Sequence, residues 1–322
     1  MRRITSLFVL LLLLAASTAA IQAQTPPASA DDYFNRGLER HQRGDLDGAI
    51  ADYSKALEIN PKIAEAYNNR GLARYDKEDF DGAIADYNQA LELNPQYANA
   101  YNNRGLARYR KDDADAAIAD LNKALEINPQ LVDAYFNRGK AQAKKGDYDS
   151  AITDYSRVLT LDPKHAKAYY NRGLARDERG DLDGAIADYT KALEINPQDG
   201  WAYLNRGLAR DDKSDLDGAI ADFTKAIEIN PKDAEAYNNR GLALNDKGDQ
   251  AGAVADYSRA IEINPNYAEA YGNRGLARLL QRKDSEAEKD FDKCFKLDAN
   301  LRAHFEEEAK AIKQERAQTK KP

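Results

Sequence analysis

Hydrophobic and polar positions follow a helical schedule along most of this chain. Tyr33 and Gly37 stand four residues apart, as do Ala49 and Tyr53, so each pair lies on one face of a helix. Between the two faces the pattern breaks at Asp45, a residue suited to begin a second helix, where an N-cap is worth about 0.5–2 kcal/mol over alanine. The run Ala56-Leu57-Glu58-Ile59-Asn60-Pro61 then closes that helix, because proline cannot continue it and restricts the residue before it. Two helices joined by a short turn are therefore predicted.

The same schedule returns every 34 residues. Prolines fall at Pro61, Pro95, Pro129, Pro163, Pro197, Pro231 and Pro265, and the next step lands on Ala299. On this period the units are 30–63, 64–97, 98–131, 132–165, 166–199, 200–233, 234–267 and 268–301. Glycine recurs in all of them, from Gly37 to Gly275, and alanine follows twelve residues later, from Ala49 to Ala287. A glycine inside a helix costs about 1 kcal/mol against alanine, so a close helix-helix contact is predicted there. Tyrosine precedes each of these glycines by four residues, from Tyr33 to Tyr271. An aromatic follows each alanine by four, with Leu121 as the exception. Asp45, Asp79, Asp113, Asp147, Asp181, Asp215 and Asp249 mark the start of each second helix.

Asn68-Asn69-Arg70-Gly71-Leu72-Ala73, Ala83-Ile84, Tyr87, Ala90-Leu91 and Pro95 resemble the tetratricopeptide repeat family. The resemblance implies an all-α fold, a right-handed superhelical solenoid of eight helix-turn-helix tetratricopeptide repeats. It also implies a task of holding other proteins rather than catalysis. The chain departs from the family pattern where the usual tryptophan is Tyr33 and its equivalents, and where the usual leucine before the glycine is Arg36 and its equivalents. The eighth unit departs further, with Lys283 at the cap column, Glu288 for isoleucine, Cys294 for alanine and Ala299 for proline. End units of solenoids are commonly atypical. Phe305 and Ala309 continue the register, so residues 302–318 are expected to form a charged C-terminal capping helix, with 319–322 as a tail.

The ends of the chain bear on location. Arg2 and Arg3 precede an apolar run from Leu7 to Ala16 that is too short to span a bilayer as a helix, with cleavage sites after Ala20 or Ala23. Residues 1–23 are read as a secretory signal peptide and 24–29 as a flexible linker, giving a periplasmic or secreted bacterial protein with no integral membrane segment after cleavage. Loss of the two arginines makes the formal net charge of −7 more negative still. That balance repels phosphate backbones, so no nucleic-acid partner is expected. Cys294 is the single cysteine and has no disulfide partner within the chain.

On the first helix of each unit, the columns of Asp31, Phe34, Asn35, Leu38, His41 and Gln42 are expected to point away from the Tyr33 and Gly37 face. In the family this opposite face lines the groove where partner peptides bind. Asn35, Asn69, Asn103, Asn137, Asn171, Asn205, Asn239 and Asn273 form an uninterrupted column there. A side-chain amide both donates and accepts, which suits the backbone of an extended peptide. The same column also suits hydrogen bonding to a neighbouring loop or helix end. The leucine stripe from Leu38 to Leu276, broken by Lys140, reads either as packing or as a partner anchor. Family members that clamp a terminal carboxylate use a lysine where this chain has Phe34, Asn68 or Asn102, so that clamp is not implied.

Acidic residues dominate the variable columns, above all Asp177, Glu178, Asp211, Asp212 and Asp246, against fewer basic ones such as Arg110, Lys140, Lys144 and Lys167. Protein or peptide ligands that are basic or extended fit such a surface. Arg36 and Asp52 recur in every unit and are predicted to pair. His41, His165 and His304 fall in unrelated columns, and glycines fall one per unit inside helices. No metal site, triad or phosphate loop is therefore predicted, and no cofactor or enzyme activity. The functional expectation is an envelope scaffold for protein-protein interaction. An accessory protein that binds glycan or peptidoglycan through tyrosines and asparagines is the alternative.

Overall fold

A computed structural model describes residues 29–318, and the leader read from residues 1–23 lies outside them, as does most of the linker. All regular structure among the described residues is helical. The described chain divides into two compact units with the boundary after Ala141.

The first unit contains α1 (Ala30–Gln42), α2 (Leu46–Ile59), α3 (Ala64–Asp76), α4 (Phe80–Leu93), α5 (Ala98–Arg110), α6 (Ala114–Ile127) and most of α7 (Val132–Lys144). The second runs through α8 (Tyr148–Leu161), α9 (Ala166–Asp177), α10 (Leu182–Ile195), α11 (Gly200–Asp212), α12 (Leu216–Ile229), α13 (Ala234–Asp246), α14 (Gln250–Ile263), α15 (Ala268–Leu280) and α16 (Asp284–Leu297). A 3-10 turn (Ala299–Leu301) and α17 (Arg302–Gln318) end it. Helices pack in sequence order within each unit, as consecutive hairpins of a tetratricopeptide-type solenoid.

Polar side chains start and stop these helices at fixed places. Ser29, assigned to the linker by sequence, instead caps α1 in a capping box, with Asp32 Oδ2 accepting the Ser29 N–H at 2.8 Å. Asp45 Oδ1 accepts the Gly48 N–H at 3.0 Å, and the six later aspartates of that column cap their helices in the same way. Lys283 provides no such cap. At the far end of α2, Asn60 Oδ1 accepts the Lys62 N–H at 3.1 Å, an Asx turn built around Pro61. The turn inside each hairpin needs one left-handed residue, which is glycine at Gly44, Gly146, Gly180 and Gly248 but Glu78, Asp112, Ser214 and Arg282 elsewhere. Glycines thus serve these turns as well as helix interiors.

The repeated helical glycine makes room for a ring. A Cβ on Gly37 would stand 2.6 Å from Tyr53 Cε1, and one on Gly207 would stand 2.6 Å from Phe223 Cε1. Where the ring is replaced by Leu121, the backbone itself comes close, with Ala117 O at 3.1 Å from such a Cβ on Gly105. Ala49, Tyr53 and Ala73 bury together with Phe34, Leu38 and Ile50 against them, so each core joins one repeat to the next. The leucine stripe belongs to these cores: Leu72, Leu174, Leu208, Leu242 and Leu276 all pack as Leu38 does.

The C-terminal cap has a seat cut for it. Gly272 occupies the column of Phe34, Asn68 and Asn102, and the Phe305 ring fills the space that any side chain at this glycine would need. Phe305 and Ala309 bury in a cluster with Phe291 and Cys294. Burying the phenylalanine contributes about 1.5–3 kcal/mol. Arg316 fastens the other end, donating to Leu279 O at 3.1 Å and pairing with Asp284 at 2.7 Å.

Candidate functional site

The predicted arginine-aspartate pairs lie within single repeats. Arg206 reaches Asp222 with two bonds, Nε to Oδ2 at 2.9 Å and Nη2 to Oδ1 at 2.6 Å, and the same fork recurs at Arg36–Asp52, Arg104–Asp120, Arg172–Asp188 and Arg274–Asp290. The carboxylates are buried, and the Arg36 hydrogen bonds hold the Asp52 carboxyl below its ordinary range. A second arginine shares the carboxylate in six of the eight repeats, for instance Arg210 Nη1 to Asp222 Oδ2 at 2.8 Å. The remaining guanidinium nitrogen reaches the preceding repeat: Arg206 Nη1 donates to Thr190 at 3.0 Å, Arg70 to Ser54 at 3.0 Å and Arg104 to Asn88 at 2.7 Å. Each guanidinium also lies over the tyrosine three residues before it, as Arg206 does over Tyr203 at 5.5 Å. With its donors shared between its own repeat and the one before, this column couples neighbouring repeats.

The asparagine column divides into two kinds of position. Asn103 Nδ2 donates to Asn68 Oδ1, Asn137 to Asn102 and Asn273 to Asn238, each at 3.0 Å, and Asn205 donates to the Tyr170 hydroxyl at 3.0 Å. These four amides tie a first helix to the one before it. Asn69 and Asn239 follow Phe34 and Leu204, which offer no acceptor, and Asn35 is exposed at the start of α1. Asn171 turns to its own helix, donating to Lys167 O at 2.7 Å. The column that sequence placed beside them on the open face is in fact covered: Asn68, Asn102, Leu204 and Asn238 are buried. Within each compact unit first helices contact one another as well as their own partners, as α3 does with α1 and α11 with α9, so the open face is narrower than the 3.6-residue period alone implies.

Negative charge gathers on the last turns of α9, α11 and α13. Burial pushes the Asp177 carboxyl up, with Asp212 and Glu178 adding to the effect. Asp211 is raised by burial, then by Asp246 and Asp212. The histidines serve locally: His41 Nε2 meets Asp76 at 2.8 Å, His165 Nδ1 caps α9 by accepting the Ala168 N–H at 3.0 Å, and His304 lies 3.7 Å from Glu308. Cys294 is buried, which pushes its thiol up to about 11. Among the described residues no group of three or more His, Cys, Asp or Glu side chains is placed to hold a metal ion, and no helix is long and apolar enough to cross a membrane.

The family model described as TPR repeat matches residues 37–77, 71–112, 107–146, 212–246 and 241–281, more than half of the chain. This chain belongs to the tetratricopeptide repeat family. Models described as tetratricopeptide repeat also match 136–200 and 268–301. Solved structures similar to this tetratricopeptide repeat protein include MamA, 31% identical over 52% of this chain and 92% of that one, with a TM-score of 0.47. YrrB, described as a TPR protein with an unusual peptide-binding site, is 24% identical over 57% of this chain and 95% of its own, with a TM-score of 0.52. The C-terminal part of a TPR repeat-containing protein from Cytophaga hutchinsonii is 20% identical over 74% and 98%, with a TM-score of 0.61. Among curated proteins no match is found. Tetratricopeptide repeat proteins are typically scaffolds for protein-protein interaction, and no enzyme family is indicated.

Two features of this tetratricopeptide array escape sequence reasoning. The second arginine, from Arg40 to Arg278, is one, although it recurs in six of the eight units. Trp201, the one tryptophan of the chain, is the other, and it stands exposed in a column that is otherwise polar.

Proposed function

We propose that this chain is a non-enzymatic scaffold of the bacterial cell envelope that holds extended, basic peptide segments against the asparagine-bearing faces of its first helices. What carries the reading is that Asn69 and Asn239 follow Phe34 and Leu204, which supply no acceptor for their amide N–H groups, while Asn35 lies exposed in the first repeat. A partner backbone alternates N–H and C=O groups, and a side-chain amide meets either. The acidic stretch from Asp177 to Asp246 favours basic guests, since complementary fields raise the association rate. Placement in the periplasm or outside the cell rests on the charged and apolar pattern of residues 1–23.

Replacing Asn35 and Asn69 with alanine tests the binding role where no inter-repeat bond is lost. At about 0.5–1.5 kcal/mol net per hydrogen bond, affinity for array-selected extended peptides should fall roughly five- to hundredfold, with circular dichroism unchanged. Asn103→Ala and Asn273→Ala should instead lower the thermal midpoint. Unchanged peptide affinity in the first variant removes the column from the binding surface, and selective retention of peptidoglycan fragments transfers the reading to a glycan accessory. Sequencing the mature N-terminus of the exported protein checks the location.

A further inference from the structure

Within an array so regular, departures that coincide at one place are informative, and three of them meet at the start of the sixth repeat. Position 199, like 233, is aspartate in a column that otherwise holds Ser29, Ile63, Tyr97, Leu131, His165 and Tyr267. Position 200 is glycine where every other repeat has alanine or valine, and position 201 is tryptophan where the others have Asp, Glu, Asn or Lys. Trp201 is 62% exposed, far more than an aromatic ring retained for packing. Beside it lies a cavity of about 400 Å³ lined by Asn196, Gln198, Asp199, Ile229, Asn230 and Asp233 in addition to Gly200.

Each departure opens or shapes this cavity. Asp199 removes the bulk that a tyrosine or leucine would place there. Gly200 has no steric need, since a Cβ on it would meet Ile229 Cγ2 at an ordinary 3.5 Å, so its effect is to enlarge the floor. The lining described holds two carboxylates and no lysine or arginine. Asp199 Oδ1 caps α11 through the Ala202 N–H at 3.2 Å, and Asp233 Oδ1 caps α13 through the Ala236 N–H at 3.1 Å. An aromatic face, an aliphatic wall and two carboxylates are the surroundings that suit a guanidinium or ammonium on an aliphatic stem. A neutral saccharide would use the ring but not the charge.

We infer that the cavity beside Trp201 is a binding site for the cationic side chain, arginine foremost, of a partner protein. The inference rests on the reading of this chain as a peptide-holding scaffold and names the side chain it selects. Trp201 shares a helix face with Asn205, whose Nδ2 donates to its carbonyl at 2.9 Å, so a chain segment lying along that face reaches the cavity.

Because Trp201 is the sole tryptophan, its fluorescence reports this site alone. The full mature chain is titrated with an acetylated and amidated Gly-Arg-Gly tripeptide, with the citrulline tripeptide as the neutral isostere and with an N-acetylglucosamine tetramer. A saturable change with the arginine peptide is expected, at least tenfold weaker with citrulline and at least fivefold weaker in Asp199→Asn/Asp233→Asn. Asparagine caps helices as well as aspartate does, so that variant keeps its fold, checked by circular dichroism. No saturable change, equal affinity for citrulline, or saturation by the sugar alone overturns the inference. The asparagine-column variants, read by calorimetry with peptides lacking arginine, stand or fall separately.

Discussion

The contact between the helical glycine and the aromatic ring of the same repeat makes a demand that can be measured at Gly207. A methyl group added there stands 2.6, 2.8 and 3.1 Å from Phe223 Cε1, Cδ1 and Cζ, whereas carbon atoms rest about 3.5–4.0 Å apart. The ring is fully buried and must retreat by roughly 1 Å into a packed cluster of Leu204, Ala219, Ala226 and Ala243. Overpacking of this kind costs about 1–3 kcal/mol, and alanine returns about 1 kcal/mol of helix propensity. Gly207→Ala should therefore destabilise its repeat by up to about 2 kcal/mol despite being a better helix former. Phe223→Leu, the residue that repeat three already uses at Leu121, should ease the clash without removing it, since a Cβ on Gly105 would still stand 2.9 Å from Leu121 Cγ. The double variant should then cost at least about 0.5 kcal/mol less than the two single costs together. Urea melts followed by Trp201 fluorescence read the same helix, which matters because repeat arrays need not unfold in one step. Strict additivity, or a stabilised single variant, would refute the argument that the ring dictates the glycine.

Three further outcomes follow from the same geometry. Asp222→Ala strips the shared partner from Arg206 and Arg210 and should cost about 3–5 kcal/mol, seen as early loss of helicity in urea; a change below about 1 kcal/mol would contradict the buried-pair account. Asp177 and Asp211 have carboxyl groups raised in the folded state, so the folded chain binds more protons and stability falls as pH rises from the ordinary carboxylate range through the raised values. Asp177→Asn/Asp211→Asn should then raise the thermal midpoint at pH 7 but not at pH 3, and an equal gain at both pH values would exclude the cause given. Gly272→Leu fills the seat of Phe305 and should release α17, exposing Phe291 and Phe295 to self-association, with a strictly monomeric profile in light scattering as the contrary result.

The hairpins were legible because their signals are local. Asp45, Pro61 and the four-residue spacings of Tyr33 with Gly37 and of Ala49 with Tyr53 each act within one or two turns of chain. The arginine-aspartate fork was legible too, since both columns recur without exception. The asparagine face was only partly so. Period 3.6 says which side of α5 opposes Gly105, but not that Asn102 on that side is covered and Asn103 is half spent on it. That information lies in the residue 35 positions earlier, where Asn68 accepts and Phe34 cannot. Trp201 escaped notice for the opposite reason: column reasoning rewards what recurs, and its meaning lies in standing alone.

The arginine fork has a consequence for how such a chain can change length. Repeats two to eight present the same guanidinium backwards, and repeats one to seven a small hydrogen-bonding side chain forwards, from Ser54, Asn88 and Asn122 to Ser156, Thr190, Thr224 and Ser258. Any repeat can therefore follow any other without redesign of the joint, so duplication or loss of 34 residues leaves a working coupling while the open columns diverge freely. The series stops where the coupling changes sign. In the last repeat the forward position is Asp292, and the register places Glu308 where the next arginine would stand. Two like charges thus stand in the same two columns that elsewhere join one repeat to the next.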